Sequence, residues 1–339
     1  MPDAKAPVEI ASHHEGKTYA YSEDHDENRP SQMWFQESDE GLILFIVFYT
    51  QACRYSRCLG CNLPSTASRS HVNYRALINQ VDYVFSDPEV IERRMDIRKV
   101  IVSNNGSVLD QDTLSSTALI YLVAKLNLNM SHLYVLSLET RVEYIDVPEL
   151  EFLARALAEG DVQTQMELAV GMEAFDDRIR NEVFYKGLEL EAFEDTVAMI
   201  APYGFKLKCY FMLKPVPGMS GDEGIQDIQR AIEYLCGVSR KHGVTISMHL
   251  NPTFVAYGTQ LEKSFQKGEY TPPRLIDVAR AAVYAENRNV PVFLGLFDEG
   301  LAVKGGSFLR AGEEKLVKAL ERFNRTQNFE ILKNLLRPQ

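Results

Sequence analysis

Three of the five cysteines of this 339-residue chain fall within one short stretch, Cys53-Arg54-Tyr55-Ser56-Arg57-Cys58-Leu59-Gly60-Cys61. The C-x4-C-x2-C spacing puts three thiols on one loop with no fourth beside them. A closed structural zinc site takes four protein ligands and usually shows a second ligand pair at similar spacing, whereas Cys209 and Cys236 each stand alone. A disulfide framework fits less well, because the chain is long, its cysteine count is odd and it shows no secretory signal. Three thiolates suit a [4Fe–4S] cluster with one iron left open to a further ligand.

The elements around the loop say where such a site would lie. The apolar run 42–48 reads as a buried parallel strand, so the cysteines leave its carboxyl end, where active sites of α/β barrels open. From residue 41 onward, strand-like runs alternate with amphipathic helical stretches, the signature of a parallel sheet with crossover helices. Further strands are expected at 99–103, 133–138, 166–170, 206–213 and 244–250, each ending in polar or glycine-bearing residues. Asp110 or Asp112 is a candidate cap for the helix that follows the second strand, and Ser220-Gly221-Asp222-Glu223 reads as a capping box. Thr271-Pro272 reads as another helix start. The expected class is α/β, a partial (β/α)6 barrel over residues 41–275; a full eight-stranded barrel is the alternative. A C-terminal extension, 276–339, supplies a last strand at 292–297 and a helix at 313–336 to cover the open side.

Composition sets outer bounds. At 45% hydrophobic, the chain can bury the core of one large domain. No apolar run approaches the roughly 18 residues of a membrane span, and the N-terminus lacks a signal-peptide pattern, so a cytoplasmic protein without membrane partners is expected. The net charge of −11 is uneven: residues 1–40 hold 10 acids against 3 bases, and the remainder is close to neutral. Low hydrophobicity and high charge predict a flexible acidic arm over 1–40. Residues 301–339 hold 8 bases against 4 acids, on what reads as the solvated face of a helix.

The cysteine loop after the first strand, together with several strand-end motifs, resembles the radical S-adenosylmethionine (SAM) enzymes. Within them the chain is similar to the Elp3/MiaB/NifB-like branch and, most nearly, to the archaeosine-forming group. Most radical SAM enzymes carry C-x3-C-x2-C; this chain has one more residue in the first gap. The resemblance runs over residues 41–275 and implies a radical SAM barrel with Cys53, Cys58 and Cys61 as cluster ligands and SAM on the open iron. Asn105, Gly106 and Ser107 resemble the glycine-serine turn near the SAM amine. Glu139 and Arg141 are similar to a Glu-x-Arg element of SAM contacts. Glu173 falls in a glycine-acid turn, Lys214 in a Lys-Pro pair and Asn251 in an Asn-Pro element, and these complete the implied cofactor-binding set.

The resemblance implies an enzyme, an oxidoreductase or transferase, that cleaves SAM reductively to a 5′-deoxyadenosyl radical and abstracts hydrogen from its substrate. Such an enzyme needs an electron donor such as flavodoxin or ferredoxin. A tRNA or modified-base substrate is one expectation. Against it, residues 276–339 contain no cysteine, unlike the archaeosine-forming group, and the near-neutral body lacks a basic footprint for nucleic acid. A small metabolite or nucleoside is therefore favoured, and a non-catalytic iron–sulfur sensor or scaffold is the reading from another class.

Overall fold

The computed structural model describes residues 16–337. His13 and His14, in the expected arm, lie outside the described residues. Of the expected arm, the described part from residue 16 joins the fold: Gln32–Ser38 forms β1, paired antiparallel with β2 (Gly41–Val47). The hairpin turns through Gly41 at φ +95°, where a Cβ would also come within 2.7 Å of Arg98. β1 is hard to read from sequence because an edge strand carries no continuous apolar run.

After β2 come α1 (Tyr74–Ser86), α2 (Pro88–Arg93), β3 (Ile97–Ser103), α3 (Ser116–Asn129) and β4 (Val135–Thr140). The alternation continues with α4 (Val147–Leu157), β5 (Gln165–Glu173), α5 (Leu190–Ile200), β6 (Lys206–Leu213), α6 (Gly221–His242) and β7 (Ile246–Pro252). Then follow α7 (Gln260–Gln266), α8 (Leu275–Ala282) and β8 (Val292–Leu294). The chain ends in α9 (Glu314–Thr326) and α10 (Phe329–Leu336). The eight strands form one sheet in sequence order, parallel from β2 to β8. This is the expected partial barrel with its strand and helix extension.

Local chemistry explains the helix ends. Ser220 and Glu223 form the capping box of α6, which stops at Gly243 in the left-handed region. The candidate caps Asp110 and Asp112 do not cap α3: Ser115 does, because both aspartates pair with Arg54. The helix expected at Thr271-Pro272 begins at Leu275 instead, since the second proline, Pro273, holds the chain extended before it. The terminal helix is two helices, broken at Gln327 with φ +48°.

The sheet curls without closing, and α9 spans the gap. The Asn324 carbonyl accepts from Asp39 N–H beside β1, at 2.9 Å. Its side-chain amide exchanges two 2.8 Å bonds with Leu294 on β8. On the concave side Trp34 stacks on Phe45 at 4.2 Å and meets Phe297 at 6.3 Å.

Strand alternation gives the two faces opposite characters. Val100, Val102, Leu136, Leu138, Leu168, Val170, Leu207 and Phe211 point outward and make the core with the helices. The concave face carries Lys99, Glu167 and Lys208, all at 3% exposure or less. Lys99 contacts Glu167 at 2.8 Å and Glu40 of the β1–β2 turn at 2.7 Å, while Lys208 lies 3.6 Å from both carboxylates. Glu167 and Lys208 lie on the neighbouring strands β5 and β6, whereas Lys99 on β3 reaches Glu167 on β5 past the intervening β4.

Removing one member of a buried ion network leaves the others uncompensated. Glu167→Ala is expected to cost about 3–5 kcal/mol in urea unfolding; a loss under about 1 kcal/mol would show that the network is not balanced by Glu167. Burial alone would raise this carboxyl, but Lys208 and Lys99 outweigh it and hold the pKa at about 2. The contribution is therefore present above the ordinary carboxylate range and is lost as the pH falls toward 2.

Candidate functional site

The cysteine loop leaves the carboxyl end of β2, as the sequence requires. Cys53, Cys58 and Cys61 are free thiols, each half-buried, whereas Cys209 and Cys236 are buried in the core. The loop has little regular structure and is held by its neighbours. Ser56 takes φ +45° and donates its hydroxyl to the Cys53 carbonyl, and Lys17 donates to the Ser56 carbonyl at 2.9 Å. Leu59 N–H bonds the Phe184 carbonyl at 2.9 Å, and the Tyr55 hydroxyl donates to the Tyr185 carbonyl at 2.6 Å.

Phe184 and Tyr185 belong to a segment that periodicity does not reveal, a π-helical turn at Arg178–Val183 followed by the run to Leu188. Arg180, fully buried, fixes it by donating to the Leu188 and Phe175 carbonyls at 2.7 Å each. Gly187 is required there: φ is +63° and a Cβ would press within 2.5 Å of the Tyr55 hydroxyl. Irregular helical turns of this kind recur at functional sites.

The sequence candidates divide into those that meet the loop and those that do not. Gly106 meets it, since a Cβ there would lie 3.2–3.3 Å from Cys53. Beside it Asn105, at φ +54°, donates its side-chain amide to Thr66, and the Ser107 hydroxyl accepts from Arg141 N–H at 3.2 Å. The Arg141 guanidinium lies 3.8 Å over the Tyr55 ring, pairs with Glu143 and donates to the Lys186 carbonyl at 3.0 Å. Glu173, at φ +67°, pairs with Lys186 at 2.9 Å, in space that Gly171 leaves open.

Three candidates sit elsewhere. Glu139 does not pair with Arg141; it accepts from Tyr210 across the lumen at 2.6 Å, and burial raises its carboxyl despite bonds from Ser103 and Tyr210. Asn251 lies beside His249 against Gly295, where a Cβ would clash with its Oδ1. Lys214, at φ +60°, turns away to Thr271 at 2.7 Å and over Tyr270 at 5.2 Å.

Burial of Cys58 and Cys61 is opposed, but not outweighed, by neighbouring cations. Burial raises the thiol of Cys58 and pushes that of Cys61 up to about 12, while three buried cations oppose it: Lys186 and Arg141 at Cys58, and Lys17 at both. Among the described residues, no three His, Cys, Asp or Glu side chains are grouped to hold a single metal ion. Asn104, which the sequence reading passed over, is 1% exposed, and its Oδ1 has no partner among the described residues. It lies within reach of the Gly106 turn. Deeper in the lumen, burial and Lys208 push His249 down to about 3, so its ring is neutral, and Nδ1 is buried without a described partner. Glu299, at φ +56° in the loop after β8, is pushed up to about 7 by burial and by Glu139.

No family model matches the chain. An uncharacterised protein of Methanocaldococcus jannaschii is 25% identical over 324 residues, covering 91% of this chain and 84% of that protein. The archaeosine synthase subunit beta of Thermococcus kodakarensis is 26% identical over 328 residues, covering 94% of this chain and 92% of its own length. The sequence resemblance pointed to that same group. Among solved structures, an N-terminally truncated Elp3 of Methanocaldococcus infernus superposes with a TM-score of 0.49 at 16% identity, over 74% of this chain and 58% of that one.

Two outcomes test the local geometry. Arg141→Ala is expected to lower stability by about 2–3 kcal/mol and to speed amide exchange over residues 54–61, with Arg141→Lys failing to restore either because one ammonium cannot bridge these acceptors and stack on Tyr55. Unchanged exchange would show that Arg141 does not hold the loop. Glu299 has a raised folded pKa, so stability should decline as the pH rises from the ordinary carboxylate range through about 7. Glu299→Gln should flatten that decline in urea midpoints, and an unaltered profile would remove Glu299 as its source.

Proposed function

We propose that this chain is a radical SAM enzyme whose Cys53, Cys58 and Cys61 hold a [4Fe–4S] cluster and whose lumen receives the substrate. One observation carries the reading: three half-buried cysteines on a single loop at the carboxyl end of β2, flanked by the buried cations Lys17, Lys186 and Arg141. Lys186 and Arg141 have carboxylate partners in Glu173 and Glu143, while Lys17 has only the Ser56 carbonyl among its described polar contacts, so a thiolate-ligated cluster would supply the negative charge that this buried cation lacks. Gly106 suits the same group, because a side chain there would crowd Cys53.

A [4Fe–4S] centre with SAM, when bound, supplies one-electron cleavage of the sulfonium and a deoxyadenosyl radical able to take hydrogen from an unactivated C–H bond. The chain's own residues bind, orient and shield. Asn104 offers an unpartnered acceptor oxygen beside the Gly106 turn, suited to an amine. Arg141 and Ser107 tie the ends of β3 and β4 together under the loop. The implied SAM set keeps Asn105, Gly106, Ser107, Arg141 and Glu173 near the cysteines, and Glu139 and Asn251 face the lumen with Tyr210 and His249. Lys214, engaged with Thr271, stands apart from that set.

The substrate class proposed is a nucleoside or small metabolite. The relative named archaeosine synthase subunit beta, matched over nearly the whole length of both chains, favours a modified base, and a base presented within tRNA is the second reading. The concave aromatic residues Trp34, Phe45 and Phe297 offer stacking surface for such a ring.

Anaerobic reconstitution should give about four irons per chain, lost on changing Cys53, Cys58 or Cys61 to Ala and kept on changing Cys209 or Cys236. Iron that survives Cys58→Ala would reject the ligand set. Reduced protein supplied with SAM should release 5′-deoxyadenosine; a sensor or scaffold would release none. Asn104→Ala should weaken SAM binding while iron content stays constant, and unchanged affinity would remove Asn104 from the site.

A further inference from the structure

Residues 17–21 run without regular structure, and their burial alternates: Lys17 and Tyr19 are buried, whereas Thr18 and Ala20 are exposed. That is the period of an extended chain, which turns every second side chain to the same side. The segment is pinned at both ends. Thr18 N–H donates to the Gly258 carbonyl at 2.8 Å, Ser22 N–H to the Ala67 carbonyl at 3.1 Å, and the Tyr49 hydroxyl to the Ser22 carbonyl at 2.6 Å. Gly258 permits this approach, since its φ is +71° and a Cβ there would come within 2.6 Å of the Tyr19 backbone nitrogen.

The buried side of the segment meets the cysteine loop. Lys17 donates to the Ser56 carbonyl between Cys53 and Cys58 and lies 5.8 Å over the Tyr19 ring. Tyr19 meets the Tyr21 ring edge-on at 6.5 Å, is 2% exposed, and its hydroxyl makes no hydrogen bond with any described residue. Burial, and after it Cys61, Tyr21, Cys53 and Cys58, raise that hydroxyl above the ordinary tyrosine range. All three loop thiols therefore lie within electrostatic reach of one buried, protonated O–H. A hydroxyl taken out of water without a partner is destabilising, so its place calls for an acceptor that the described residues do not provide.

We infer that the Tyr19 hydroxyl is a hydrogen-bond donor to the iron–sulfur centre held by Cys53, Cys58 and Cys61, and that it sets the reduction potential of that centre. The inference rests on the iron–sulfur reading above. Hydrogen bonds to the sulfurs are among the groups that fix such a potential. Reduction adds negative charge, so a donor fixed beside the sulfurs stabilises the reduced form more than the oxidised form and raises the potential. The low dielectric around a buried donor strengthens the effect. Lys17, two residues away on the same side, acts in the same sense as a charge, but its ammonium is engaged with Ser56. Tyr19 is the member of the pair whose donor is uncommitted. It keeps its proton, so no bond forms or breaks.

The test compares Tyr19→Phe with Tyr49→Phe in the full-length, iron-loaded protein. Tyr19→Phe keeps the ring and removes only the hydroxyl. Tyr49→Phe cuts a bond that anchors the same segment, so it reports what loosening alone does. Both variants should retain their iron. In spectroelectrochemical titration, Tyr19→Phe should shift the reduction equilibrium about tenfold toward the oxidised form, a fall of about 59 mV for one electron. Tyr49→Phe should match the unmodified chain. An unchanged potential in iron-loaded Tyr19→Phe, or an equal shift in both variants, would overturn the proposal. Loss of iron from Tyr19→Phe would overturn it too, by making the residue a requirement for assembly instead. Failure of the unmodified chain to take up iron would overturn the iron–sulfur reading and this role together, whereas an iron-loaded variant with an unshifted potential would overturn the role alone.

Discussion

A half-open barrel whose concave face is charged must neutralise that charge within the lumen, and here Glu167 and Glu40 do so against Lys99 and Lys208. Much else follows. With the concave face given to ions and polar groups, the hydrophobic core can form only on the convex side, between the sheet and its helices. Glu40 reaches the network from the β1–β2 turn, so β1 must fold back on the sheet edge for the lumen to be balanced. The same turn brings Asp39 to Asn324, which joins β1 to β8 through α9. Charge balance inside the barrel and closure of its open side thus depend on one hairpin.

Buried ion pairs of this kind add little net stability compared with an apolar replacement, because desolvation offsets attraction. Their value here is positional. Paired charges, with Tyr210 and Glu139, keep polar groups on the concave face bonded to one another. Unsatisfied groups occur along the concave face, Ser247 Oγ beside Lys208 among them. His249 Nδ1 and Asn104 Oδ1 are buried without described partners, and Glu299 takes a left-handed backbone conformation.

Much of this was legible in the sequence, and the exceptions have physical causes. The strands carrying the core were readable because their outward residues are apolar, and the capping box of α6 because its chemistry is local. β1 was hidden in an acidic stretch because an edge strand that packs on one side needs no apolar run. Lys99 reads as a strand boundary yet lies inside β3, since a buried lysine is intelligible only once Glu40 and Glu167, distant in sequence, are placed beside it. Glu139 and Arg141 read as one element, but β4 ends at Thr140, so Glu139 stays in the strand facing Tyr210 while Arg141 leaves it and meets Tyr55. The π-helical turn and Arg180 had no signature, because what they do is hold carbonyls of a loop that supports another loop.

The cysteine loop divides the cations around it into two sets with different physics. Lys17, Lys186 and Arg141 are buried, bound to carbonyls or carboxylates, and close to the thiols. Arg57, Lys263 and Lys267 are exposed. Buried cations are screened little by salt, so they act on whatever the thiols hold; exposed ones are screened within about 10 Å at ordinary ionic strength, so they act on what approaches. If both sets served only to stabilise thiolates, the exposed set would be redundant, because solvent weakens its reach to the sulfurs. If both served only a polyanion, the buried set would be inaccessible to it. The buried set alone is therefore placed to act on a negatively charged centre at the thiols.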